Sequence, residues 1–269
     1  MKDYKTIFSG IEAGLINYGS RNLPEERIRA ELDKFKYGIE RTFTDADYFQ
    51  IIIDVIFYSG FRAATIESHL SVIRRHFPDF RTVAKYQKAD IALIMGDAKM
   101  IRNERKIRAC VENARVFAAI VDQCGSFRDY IDSFSPTESF ENLMLLKEEL
   151  EYRFQGIGRV TTYHILTDIG LPVLKPDRVM CRIFQRLGLI ENEDQLLKTV
   201  IQGRKFAEAS GRPIRYIDIV FVAYGQAKSE ALGLDRGICL EENPLCSACK
   251  VASFCNYFKA RGGSASLLQ

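Results

Sequence analysis

The spacing of apolar residues predicts an all-α chain, and three observations carry that reading. Apolar side chains recur every three or four residues in YFQIIIDVIFYSG (48–60), ATIESHLSVIRRHF (64–77), KIRACVENARVFAAIV (106–121) and YIDIVFVAYGQAKSEAL (216–232), the period of a helix with one buried face. Breakers fall between these runs: Pro78, Gly96, Pro136, the pair Gly156 and Gly158, Pro172, Pro176 and Pro213. Alternating apolar–polar runs joined by tight-turn residues, the mark of strands, are scarce. Taken in order, QIIIDVIF is β-branched enough for a strand, but its length and flanks make it a buried helix. Residues 149–189 read as a helix, a glycine turn at Gly156-Ile157-Gly158, a second helix over 160–169, a proline-bounded loop and another helix from about 178. The closing residues GGSASLLQ read as a frayed tail.

At 269 residues, 47% hydrophobic and 27% charged, the chain has ordinary globular composition and ample apolar content for one large core or two modest ones. No apolar run reaches the roughly eighteen residues that cross a bilayer. The opening MKDYKTIFSGIEAGL lacks the apolar core and cleavage site of a secretory signal, so an intracellular, cytoplasmic protein with no membrane partner is expected. Net charge is only +3, but its placement is uneven. Residues 151–190 set Arg153, Arg159, Lys175, Arg178, Arg182 and Arg186 against Glu151, Asp168 and Asp177. Residues 97–115 set Lys99, Arg102, Arg105, Lys106, Arg108 and Arg115 against Asp97, Glu104 and Glu112. Local excess of this kind serves phosphate contacts, and a solvated helix face has the same look.

Four cysteines near the end follow the pattern Cys-x6-Cys-x2-Cys-x5-Cys: Cys239, Cys246, Cys249 and Cys255. Clustered thiolates in an intracellular chain point to a metal centre rather than disulfides, and four sulfurs suit either tetrahedral zinc or a [4Fe-4S] cube. Cys110, Cys124 and Cys181 stand alone inside apolar segments and read as buried thiols. None has a histidine beside it, which leaves a cysteine-protease reading without support.

The glycine turn has two readings. Gly156 and Gly158 flank one apolar residue, and such a turn exposes amide N–H groups at the following helix N-terminus, where the dipole also favours an anion; Arg159 adds charge. An ordinary helical hairpin whose glycines serve packing would read the same way. Asp177, between Pro176 and the apolar helix Val179–Leu187, is a good N-cap by itself, and it is equally a carboxylate at a helix mouth.

Hairpin, aspartate and cysteines in this order resemble the helix-hairpin-helix DNA glycosylases, specifically their endonuclease III-like iron–sulfur branch. The resemblance rests on Phe154-Gln155-Gly156-Ile157-Gly158-Arg159 with Thr161, on Asp177 and on the four cysteines, whose spacing matches the branch residue for residue; it covers about residues 45–258. It implies a two-lobed all-α fold. Residues 1–44 and 176–258 form a lobe with the iron–sulfur loop 239–255, residues 45–175 a central lobe with the hairpin 145–170, and 259–269 a tail. It further implies a [4Fe-4S] cluster on Cys239, Cys246, Cys249 and Cys255, Asp177 as catalytic carboxylate, and DNA-phosphate contacts from Gly156, Gly158, Arg159, Thr161 and Lys250. The expected partner is damaged double-stranded DNA, bound by a monomer that associates with the nucleoid.

Members of the branch that cleave the strand carry a lysine directly after the G-x-G-x turn; here Val160 stands there, and Lys147 and Lys175 do not match the motif. That implies a monofunctional glycosylase using water as nucleophile. A flipped base needs an aromatic wall, for which Tyr48, Tyr58 and Phe61 are candidates, with Asp54 as a pocket carboxylate and Phe57 as core. A second stretch, Met100–Ala109 continuing through Asn113-Ala114-Arg115 to SFRDYIDSF, is similar to 3-methyladenine DNA glycosylase I. That family carries a zinc snap and a pocket tryptophan and glutamate. This chain has no tryptophan, and Val55, next to Asp54, holds the glutamate position. The similarity implies an alkylated purine as substrate, since its positive charge suits electron-rich rings and a carboxylate. Other lesions (mismatched, deaminated or oxidised bases) and a non-catalytic iron–sulfur DNA-binding protein that senses damage are the alternatives.

Overall fold

The computed structural model describes residues 3–36 and 42–262, so most of the expected tail lies outside the described residues. Among these the structure is helical, with only one isolated antiparallel bridge, between Ser229 and Leu234. In chain order the helices are α1 (Tyr4–Gly19), α2 (Glu25–Asp33), α3 (Asp45–Tyr58), α4 (Ala63–Glu67), α5 (Leu70–His76), α6 (Phe80–Val83), α7 (Lys88–Gly96) and α8 (Glu104–Cys124). They continue with α9 (Phe127–Asp132), α10 (Phe140–Arg153), α11 (Arg159–Asp168), α12 (Arg178–Arg186), α13 (Leu196–Ser210), α14 (Ile214–Gly225) and α15 (Asn256–Ala260). None of the described helices is long and apolar enough to cross a membrane.

The chain divides into two compact units. One comprises Glu40–Leu171, the other Met1–Ile39 together with Pro172–Gln269. In the continuous unit, α3 packs against α8, α9 and α11. Thr44 starts α3 with a reciprocal cap: the Asp47 amide donates to Thr44 Oγ1 at 3.2 Å, and the Thr44 amide to Asp47 Oδ2 at 2.9 Å. The core is aromatic, with Phe117 stacked on Phe127 at 4.3 Å, Phe49 edging Phe117 and Phe80 tilted against it. In the discontinuous unit, α1, α13 and α14 enclose Phe8, Phe184, Phe206, Tyr216 and Phe221, each almost fully buried.

Two expected helices are shorter than their apolar runs. The run 64–77 breaks at Ser68 and His69, whose side chains hydrogen-bond the Thr65 carbonyl at 2.9 and 2.8 Å and so compete with the helical ladder. The run 216–232 ends at Gly225, because the returning chain uses its last turn. The Ile238 and Cys239 amides both donate to the Tyr224 carbonyl at 2.9 Å. A β-carbon on Gly225 would lie 2.6 Å from Val179 Cγ1, so α12 packs directly on this helix end.

Candidate active site and metal centre

The hairpin is built from α10, the turn at Gln155–Gly158, and α11. Gly156 adopts φ +73°, and a β-carbon there would approach Ala109 on α8 to 3.3 Å, so the turn needs glycine twice over. Ile157 is buried and pins the loop. A residue that the sequence showed only as part of the stretch similar to 3-methyladenine DNA glycosylase I does the rest. Asn113, fully buried on α8, donates to the Gln155 carbonyl at 2.8 Å and accepts the Gln155 amide at 2.7 Å. The Gly158 amide is taken by Thr161 Oγ1 at 2.5 Å, and Thr162 makes the first ladder bond to the Gly158 carbonyl. The donors that face outward at this helix mouth are therefore the amides of Arg159, Val160 and Thr161 rather than that of Gly158.

Asp177 stands at the N-terminus of α12 in the other unit. Its Oδ1 accepts the Val179 and Met180 amides, each at 3.0 Å, while Oδ2 faces Lys175 Nζ at 3.6 Å. The side chain is about a quarter exposed, at 24%. The loop leading to it is anchored by Val173 and Leu174, both fully buried, and Leu174 fills a space that exists because residue 203 on α13 is glycine: a β-carbon there would lie 1.9 Å from Leu174 Cδ2. A second carboxylate is buried on α14, which packs against α12. Asp218, on α14 and 3% exposed, pairs with Arg215 at 2.9 Å through Oδ2, while its buried Oδ1 has no hydrogen-bond partner. Burial pushes its carboxyl up to about 7, with Arg215 and Lys175 opposing the shift and Asp177 adding to it.

Among the base-pocket candidates, the structure gathers Asp54 and Tyr58 and leaves Tyr48 apart. Asp54 accepts Gln50 at 2.8 Å and Arg74 at 2.7 Å, so both its oxygens are engaged. Tyr58, one turn on, is half-buried and meets the His164 ring edge-on at 6.2 Å. Burial raises its hydroxyl above the ordinary tyrosine range, helped by Glu67 and Asp54. Phe61 is 38% exposed, with Lys106 Nζ 5.5 Å from its ring centre. Tyr48 is buried between Phe43 and Phe127, within the aromatic core. Neither lysine near the hairpin or Asp177 has a free amine. Lys147 is 7% exposed and paired with both Glu148 and Glu151, and Lys175 pairs with Asp177.

The four terminal cysteines form no disulfide and line one cavity together with Arg186, Ile238, Pro244, Ala252, Tyr257 and Phe258. Short 3-10 turns at Cys246–Ala248 and Ala252–Phe254 bring the last three cysteines round. Arg186, at the far end of α12 from Asp177, donates to Cys239 Sγ at 3.3 Å and to the Leu240 and Glu241 carbonyls at 2.6 and 2.8 Å. Arg182 donates to the Gly225 and Cys239 carbonyls at 2.8 and 3.2 Å. Among the described residues, no three or more His, Cys, Asp or Glu side chains converge as ligands of a single metal ion. Four thiols lining one cavity are a donor set that zinc or a [4Fe-4S] cube would each use. Lys250 is exposed beside it, on a groove shared with Arg21, Asn17 and Ser247.

This architecture is the helix-hairpin-helix DNA glycosylase fold. A trapped endonuclease III–DNA covalent intermediate matches with a TM-score of 0.53 at 16% identity, over 89% of this chain and 99% of that one. A 3-methyladenine DNA glycosylase I matches at 21% identity and a TM-score of 0.44, over 53% and 87%. The 8-oxoguanine DNA glycosylase of Thermotoga maritima matches at 18% and 0.49, over 78% and 95%. The methyladenine glycosylase family matches residues 33–175, more than half of the sequence, and the chain belongs to that family. The matched segment ends just before Asp177 and takes in the hairpin, Asn113 and the α3 candidates.

Proposed function

We propose that this DNA glycosylase hydrolyses the bond between deoxyribose and an alkylated purine of the 3-methyladenine type in damaged double-stranded DNA, as a monomer and without cutting the strand. The observation that carries the reading is Asp177. Its Oδ1 is fixed by two α12 amides, which leaves Oδ2 as a preoriented negative charge in a chain whose preceding residues match the methyladenine glycosylase family. As the bond from C1′ to the base nitrogen breaks, its electrons leave with the base and positive charge grows on the sugar. Asp177 stabilises that charge and orients a water, whose oxygen bonds to C1′ and whose proton passes to the carboxylate or to solvent. An alkylated purine already carries a positive charge and leaves as a neutral base, so the reaction needs no general acid.

Val160 in the lysine position, and the engagement of Lys147 and Lys175 by carboxylates, support water as the nucleophile. Tyr58 supplies the stacking face for the extruded base, with Phe61 at the rim. Asp54, already paired with Arg74, tunes that face, while Tyr48, packed on Phe127 in the aromatic core, stands apart from it. The amides of Arg159, Val160 and Thr161, presented by the Gly156–Gly158 turn, hold one DNA phosphate and Lys250 another; such contacts set position rather than sequence. Cys239, Cys246, Cys249 and Cys255 would hold a [4Fe-4S] cluster, whose role would be to tie the terminal loop into one shape.

The test is to incubate the protein with duplexes carrying single methylated, deaminated, oxidised or mismatched bases and to identify what is released. Methylated purine is expected, and its absence overturns the substrate. Asp177→Asn is expected to lower release at least about 100-fold with DNA affinity retained; undiminished release removes Asp177 from the chemistry. Borohydride-trapped protein–DNA adducts would overturn the monofunctional mechanism.

A further inference from the structure

We propose that Asp218 is a positioning residue for catalysis: a carboxylate sealed on α14 that governs, with Arg215, the charge set around the Asp177–Lys175 pair. This rests on Asp177 being the catalytic carboxylate. Nothing about an ordinary core calls for Asp218. It lies in the apolar run YIDIVFVAYG, is 3% exposed, and leaves Oδ1 buried without a hydrogen bond. A buried, half-satisfied carboxylate costs stability, and sites that tolerate such a cost are characteristically functional.

The helices around it show where its charge acts. α14 packs on α1, α2, α12 and α13. α1 and α13 meet it through aromatic rings, Phe8 on Tyr216 and Phe221, and Phe206 on Phe221. The charged groups Glu12, Lys36 and Arg212 gather instead on Tyr216. Seven residues before Gly225, Asp218 shares the face of α14 on which Val179 and Ile183 of α12 pack; the charges that reach it are Arg215 on its own helix, and Asp177 and Lys175 at the start of α12. Two carboxylates and two cations thus form one group. When Asp218 is protonated, Lys175 and Arg215 outweigh Asp177 and weaken its hold on a cationic sugar. When Asp218 ionises, the four charges balance and the negative field at Asp177 is restored. Burial pushes the carboxyl up to about 7, so the switch falls near neutral pH.

The experiment is single-turnover release of methylated purine from duplex DNA between pH 5.5 and 8.5. The native protein is expected to gain about tenfold in rate through a step centred near pH 7. Asp218→Asn is expected to abolish the step, staying within about twofold of native at pH 5.5 and about tenfold slower at pH 8.5, with DNA affinity unchanged. Arg215→Gln, on a partly exposed side chain, moves the step to higher pH, because the guanidinium opposes protonation of Asp218. A native profile in both variants, with Asp177→Asn inactive, sinks the role of Asp218 alone. An active Asp177→Asn sinks the reading of Asp177 and this proposal with it.

Discussion

Asp218→Asn is also a test of stability, and its sign follows from the structure. Burial pushes the carboxyl of Asp218 up to about 7 in the folded chain, against 3.8 for an ordinary aspartate. Between these values the unfolded chain has released the proton and the folded chain still holds it, so stability falls as pH rises from about 4 to 7 and levels off above. Asparagine does not titrate and removes that slope. Summing the linkage between pH 5 and pH 8 gives a loss of about 2–3 kcal/mol in the native protein that the variant escapes. The lost Arg215 pairing and the buried amide shift the variant by a similar amount at both pH values, so the pH difference isolates the carboxyl. For a unit of this size the expected signature is a melting temperature of the variant, relative to native, about 5–10 °C higher at pH 8 than at pH 5. Thermal melts in matched ionic strength measure it. Equal differences at the two pH values would show that Asp218 is not held protonated, and the titration argument built on it would fall.

Three further outcomes are expected. Asn113→Ala removes both hydrogen bonds to Gln155 and strands its backbone groups, at about 2–4 kcal/mol; denaturant unfolding should show the loss, and weaker duplex binding at low salt should accompany it through the loosened hairpin. Gly203→Ala drives a β-carbon into Leu174, costing about 1–3 kcal/mol and displacing the Lys175–Asp177 segment, so kcat for base release should drop while DNA affinity holds. Iron chelation should bleach a brown protein and open residues 244–255 to protease. The Leu240 and Glu241 backbone should remain protected, because Arg186 grips those carbonyls without metal.

How much of this was legible in the sequence depended on how far each determinant reached along the chain. The apolar period over 48–60 gave α3 and the cysteine spacing gave the terminal loop, since both are local patterns. The break at Ser68 and His69 was missed because two side-chain hydrogen bonds to one carbonyl leave no trace in hydrophobicity. The end of α14 at Gly225 was missed because residues 237–239, far along the chain, decide it. The hairpin was visible as glycines, but the tether that shapes it, Asn113, acts across a separation of 42 residues.

Asn113 and Asp218 nevertheless left the same signal. Each is a polar residue on the apolar face of a strongly periodic helix, where burial demands a partner. Asn113 finds both of its partners in one backbone unit, which makes it a structural clamp. Asp218 finds only one, and keeps an oxygen unsatisfied on a helix that packs against the one Asp177 caps. That difference in satisfaction separates a group placed for folding from one placed for catalysis, and it becomes visible only once side chains from α12 and α14 are seen together.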